Sequence, residues 1–329
     1  MKKENWLTRD KIRKEKETTE ILKDFTRMLN HILPNFRYEL LKVKDNRNKS
    51  YIKYKSDIML LERIVATICG IESMNEMTKK LNNTNVIHNL NQLTNSNYDD
   101  IAHYTTLNNY LKVVDTEDLD RVRYNMIKEL ITKKYFYDYR ILDKYWKVAI
   151  DGTGVYTFDN RHCEHCLTRT YNKGTEEEKT IYFHYVLEAK LIVGDMALSI
   201  ASEFIENPSG NFDKQDCELK AFYRLATKIK KIYSRLPICL LVDSLYANKK
   251  VFEVCTDNKW LYIIRFEDGS IPTIAEDFAG MKKTTTPKEL KNKDTYVHFN
   301  DIEYDKYKLN MIEYTTKECK YPFCIYIFN

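Results

Sequence analysis

From Thr18 to Leu33 apolar side chains recur at Ile21, Leu22, Phe25, Met28, Leu29, Ile32 and Leu33, a spacing that gathers them on one stripe of a helix. Pro34 stops that helix, because proline has no amide hydrogen to donate. A second helix is expected over about 56–69 with Gly70 at its end, and Ser73 followed by Glu76 is a capping box that opens a third. Two more are expected near 106–114 and 116–135, with polar, Asn-rich connections at 82–100. The front of the chain thus reads as all helical. Its "SMNEMTKKLNN" and "YTTLNNYLKVV" segments are candidates for a helix-turn-helix, against the plainer reading of two bundle helices.

After residue 145 the apolar period falls from about 3.6 to 2, and β-branched and aromatic residues become denser. Strands are expected at 146–152, 181–193 and 196–204, the last two turning at Gly194-Asp195. A helix follows at 214–233. Pro237 then opens "ICLLVD", an apolar run of the kind buried on both faces, before a helix at 248–258 and a strand at 260–266. Two domains are expected: a helical one over 1–140 and an α/β one over 141–329, the latter with a β-rich insertion at about 270–318.

That element order resembles the ribonuclease H-like mixed sheet. In such a sheet the first strand and the strand after the first long helix are neighbours at its centre. Asp151 interrupts the first and Asp243 ends the second, so their carboxylates are expected to converge from positions far apart in sequence. Paired carboxylates on rigid strands suit a hard cation such as Mg²⁺ or Mn²⁺, and such ions can stabilise both oxygens of a phosphodiester displacement. Without a cation the like charges repel. Taken singly, an Asp at a strand end is more often a turn or a helix cap.

The net charge of +5 is unevenly spread: residues 1–150 carry 28 Lys and Arg against 21 Asp and Glu, and the remainder 25 against 27. A front half at +7 beside a back half at −2 suits a polyanion partner such as double-stranded DNA, although a solvated helical face has the same composition. Arg47, Lys49, Lys53 and Lys55 around Tyr51 and Tyr54 are the candidate phosphate contacts. The cluster "RHCEHC" brings His162, Cys163, His165 and Cys166 together in sequence, a donor set for Zn²⁺. Adjacent residues wrap one ion poorly, so a second segment is expected to complete it or the stretch is an ordinary loop. Cys319 and Cys324 are available for that. The eight cysteines are scattered and expected to be reduced. No signal segment or membrane span is apparent, so a cytoplasmic, nucleoid-associated protein is expected.

The blocks "AIDGTGVYTF", "CEHCLTR", "YFHYVLEAKLI", "SIASEFIEN", "KQDCELKAFYRLA", "LPICLLVDSLYANKKVFEVC" and "WLYIIRFEDGSIPTIAEDF" are similar, in order, to those of DDE-type insertion-sequence transposases. The front blocks "ILPNFRYELLKVKDNRNKSYIKY" and "GIESMNEMT" resemble that family as well, so the likeness runs from about residue 33 to the end. It implies metal-dependent cleavage and transfer of DNA strands at transposon ends, a homodimer as the working form, and Asp151 and Asp243 as the first two acidic ligands. The family's third, a Glu on a late helix, has no counterpart before Asn329. The chain is therefore expected to be a truncated transposase, either weakly active or a non-catalytic DNA-binding remnant. Glu276 is a substitute candidate, set against a solvated helical residue. The family's Tyr-x2-Arg-x3-Glu signature fails where Gly269 follows Tyr262 and Arg265. "DGTG" also resembles the phosphate turn of actin-like sugar kinases, yet eight glycines with no Gly-Gly pair supply few of the turns that fold needs. Gly152 and Gly154 are read as bends beside a metal site, and Asp216 and Glu218 as acidic residues meeting a helix dipole.

Overall fold

Where Ser73 stands ahead of Glu76, the Ser73 hydroxyl accepts the Glu76 amide and a helix begins. The computed structural model describes residues 20–21, 23–161, 163–206, 216–316 and 323–329, with side chains omitted at 323–325. Among these the chain divides between Tyr135 and Phe136 into two units.

The first unit is helical throughout: α1 (23–32), α2 (Phe36–Leu41), α3 (Ser56–Ile68), α4 (Met74–Leu81), α5 (Thr84–Thr94), α6 (Tyr104–Leu111) and α7 (Thr116–Thr132). The stretch expected to be Asn-rich connection contains α5. Its start and stop are both Asn work: Asn83 accepts the Val86 amide at 3.0 Å, and Asn95 in the left-handed conformation (φ 48°) ends the helix. Helices α4 and α6 pack together, but α5 separates them in sequence, so the two segments singled out above are not consecutive members of one motif. Met59, Leu61, Val65, Met77, Leu81, Leu107 and Tyr110 fill the core, each large apolar side chain contributing about 1.5–3 kcal/mol. Glu62 lies inside it too, 1% exposed, its carboxylate accepting the Ala102 amide. Burial, with the Asp100 charge as a lesser contributor, pushes its pKa up to about 8 despite that amide.

The second unit is a mixed α/β structure built on one ten-stranded sheet. Strand β1 (Trp146–Phe158) is antiparallel to β3 (Lys179–Val193) and parallel to β5 (Ile238–Val242). Beyond β5 lie β6 (Leu261–Phe266), β10 (Phe323–Phe328), β9 (Tyr307–Thr315), β8 (Thr295–Tyr304) and β7 (Lys288–Glu289). On the far side of β3 two strands follow one another: β2 (Leu167–Tyr171) pairs with its first residues and β4 (Met196–Ile205) with its last. Helix α8 (Glu218–Ile232) lies against β3 and β4, α9 (Lys249–Asn258) against β6, and α10 (Pro272–Lys282) against β8.

β1 runs six residues further than its apolar pattern suggests. Burial alternates cleanly through Ile150 and then gives way to exposure, because β5 ends at Val242 and only β3 accompanies the rest. No helix among the described residues is long and apolar enough to cross a membrane.

Candidate functional site

The point where β1 loses β5 is also where the chemistry collects. The last parallel pair is Ala149 with Leu241, so Asp151 and Asp243 stand two residues past it, one on β1 and one just beyond β5. Both are exposed. Asp151 Oδ1 accepts the Gly152 amide at 2.9 Å, and Asp243 Oδ1 accepts the Leu245 amide at 3.0 Å as the cap of a short turn. These contacts fix each carboxylate and leave oxygen lone pairs open.

A third carboxylate joins them from α8. Glu218 Oε1 accepts the buried Tyr246 hydroxyl at 2.7 Å. Burial raises the Glu218 pKa, the Tyr246 hydrogen bond opposes that, and the charges of Asp243 and Asp151 raise it further. No cation acts on Glu218 among the described residues. Burial likewise raises Tyr185 and Tyr246, and Glu218, Asp151 and Asp243 add to both. Glu188, opposite Asp151 on β3, differs: Lys190 pairs with it at 3.0 Å.

Gly152 makes this approach possible. A Cβ there would stand 2.3 Å from a Tyr185 ring carbon and 2.9 Å from Glu218 Oε2. The glycine is therefore a matter of space and not the bend expected from sequence; the register break in β1 lies later, between Gly154 and Tyr156. The dipole reading of the α8 start holds for Glu218, which is in the first turn, and fails for Asp216, which precedes the helix and pairs with Arg224 at 2.6 Å; Glu218 also feels the charges of the strand carboxylates. Lys214 is outside the described residues. Glu276 is exposed on α10 and is not among the charges acting on Glu218, Tyr185 or Tyr246.

A second cluster lies further along the same strands. Cys163, Cys166 and His184 form the one group of three or more His, Cys, Asp or Glu ligand atoms within 4.8 Å of one another among the described residues, a Cys-Cys-His set that could hold a metal ion. His184 comes from β3 and went unseen in sequence, because only strand pairing brings it to the cysteines. His165 turns instead toward Glu164 at 3.5 Å and Glu206 at 3.6 Å. His162 and Cys319 lie outside the described residues, as does the Cys324 side chain.

Of the basic candidates, Arg47 is committed internally. It binds Asp45 at 2.7 Å, donates to the Tyr54 carbonyl and lies 5.1 Å from the centroid of the Tyr110 ring. That makes it a structural arginine, contrary to the expectation of a phosphate contact. Lys53 pairs with Asp100 at 2.9 Å, while Lys49 and Lys55 are exposed. Comparison of the chain with protein-family models and with curated protein sequences finds no match.

Proposed function

We propose that the second unit is a ribonuclease H-like domain of the DDE transposase type, which cuts and rejoins DNA strands with Mg²⁺ or Mn²⁺ held by Asp151, Asp243 and Glu218. The observation carrying this reading is that carboxylates from β1, the end of β5 and the start of α8 act on one another, with no cation acting on Glu218 among the described residues. Support for the fold comes from the central strand order, with β1 between antiparallel β3 and parallel β5, and β6 beyond. Hard oxygen donors fit a hard cation, whose charge would offset the mutual repulsion of the carboxylates. A divalent ion bound there would polarise a phosphodiester and lower the pKa of an attacking water or 3′-hydroxyl.

The chain's own residues have separable tasks. Asp151 and Asp243 offer oxygens from fixed strand positions, the Tyr246 hydroxyl aims Glu218, and the missing side chain at Gly152 lets Tyr185 and Glu218 close on β1. The helical unit supplies DNA phosphate contacts through exposed Lys49 and Lys55 and places the protein on transposon ends in the nucleoid. Glu218 takes the part expected of Glu276.

The alternative is a DNA-binding remnant without catalysis, favoured by the absence of the carboxylates from the tight ligand groups. Supercoiled plasmid or end-sequence DNA incubated with the full chain and Mn²⁺ separates the two. Nicking or strand transfer is expected, falling by about 10³-fold or more in Asp151→Asn, Asp243→Asn and Glu218→Gln but not in Glu276→Gln. DNA binding with no cleavage would leave the remnant reading standing.

A further inference from the structure

We infer that Cys163, Cys166 and His184 bind a zinc ion that fastens the connection after β1 onto β3. The three side chains come from two segments, which is how a protein wraps a small ion. Cys163 Sγ and Cys166 Sγ are 3.8 Å apart, and His184 Nε2 is 3.4 Å from the first and 3.5 Å from the second. A tetrahedral zinc at about 2.3 Å from sulfur and about 2.0 Å from nitrogen requires a sulfur–sulfur separation of about 3.8 Å and sulfur–nitrogen separations of about 3.5 Å. All three edges of the ligand triangle match. A disulfide needs its sulfurs at about 2.05 Å, so both cysteines are free thiols available as ligands.

Cys166 is fully buried, and its sulfur accepts the Cys163 amide at 3.4 Å, a bond that orients the sulfur. Zinc binding releases the two thiol protons to solvent, and the divalent ion balances the two thiolate charges. His165 remains with Glu164 and Glu206, so the fourth position falls to a water or to another neighbouring donor.

The location gives the ion a structural task. His184 pairs with Tyr156 just past the register break in β1, on the stretch of β1 that β5 does not accompany. The next residue on β3 is Tyr185, whose ring points to the opposite face and sits over Gly152 beside Glu218. A clip at His184 therefore fixes the strand register on which Tyr185 depends.

The test uses the full chain purified with reducing agent, stripped of metal and titrated with Zn²⁺ and then Co²⁺. One zinc ion per chain is expected, and the Co²⁺ form should show intense thiolate-to-metal charge-transfer absorption with tetrahedral ligand-field bands. Carboxylates give no such charge-transfer band, so failure at the acidic site does not affect this readout. Changes outside the ligand shell alone weaken metal affinity by about 10–100-fold, so Cys163→Ser, Cys166→Ser and His184→Ala are each expected to lose more than about 100-fold, and His165→Ala less than about tenfold. If a variant misfolds, the wild-type Co²⁺ spectrum still decides. Two-thiolate intensity supports the site, whereas no charge-transfer band, or zinc affinity unchanged in His184→Ala, overturns it.

Discussion

In the helical unit Asp118 accepts the Lys44 amide and pairs with Arg121, which keep its carboxyl below the ordinary range although burial opposes them. Glu39 is pushed up by burial, yet hydrogen bonds from Lys42 and Asn125 bring it below its ordinary value. In the sheet unit Glu218 goes the other way: burial raises it, and Asp243 and Asp151 add to the rise. Asp118 and Glu39 each have a cation from the chain beside them. Glu218 has none among the described residues, although amides meet Asp151 and Asp243, so charge is left there for a ligand to neutralise, which is why the sheet carboxylates read as a site.

Glu62 tests that contrast most severely, since in the helical unit it too has an amide but no cation acting on it among the described residues. Its folded pKa of about 8 lies above the ordinary 4.5, so its neutral form favours the fold and that contribution is lost as pH rises from about 4.5 to 8. Glu62→Gln should remove this dependence, gaining on the order of 3–5 kcal/mol at pH 8 in urea unfolding. An unchanged pH profile would show that Glu62 is compensated like its neighbours.

Gly152→Ala comes next. The added methyl meets Tyr185 and Glu218, so a loss of about 1–3 kcal/mol in thermal unfolding is expected together with weaker Mn²⁺ binding. Gly154→Ala, with nothing nearer than 3.9 Å, is the control and should leave Mn²⁺ binding intact. The smallest effect belongs to Tyr246→Phe, which removes the hydroxyl opposing the rise at Glu218. It should cost about 0.5–1.5 kcal/mol and raise the Glu218 titration further, as followed by carboxyl carbon NMR. Because that pKa is already raised, the metal-free protein should lose stability as pH climbs through it, and Mn²⁺ should restore the loss.

The resemblance of the element order to a ribonuclease H-like sheet put β1 beside β5 in expectation, and the observed pairing of those strands brings Asp151 and Asp243 to one edge. Glu218 stayed hidden for a local reason: an acid in a first helical turn is already satisfied by the helix dipole, and its actual partners are 28 and 67 residues away at Tyr246 and Asp151. His184 was invisible for want of register, since only the antiparallel pairing of β1 and β3 carries it to the cysteines. Helix α5 was obscured by its composition; Val86 and Leu90 make a thin apolar stripe among asparagines that serve as caps. Arg47 looked available because a basic run shows charge and not the Asp45 and Tyr54 contacts that occupy it.

The central claim is that Asp151, Asp243 and Glu218 share one divalent ion. Calorimetric titration of Mn²⁺ into the wild-type chain and into Asp151→Asn, Asp243→Asn and Glu218→Gln tests it most directly. Saturable binding is expected in the wild type, weakened by more than about 100-fold in each variant. Equal affinity across all four proteins, or no saturable binding in any, would contradict it.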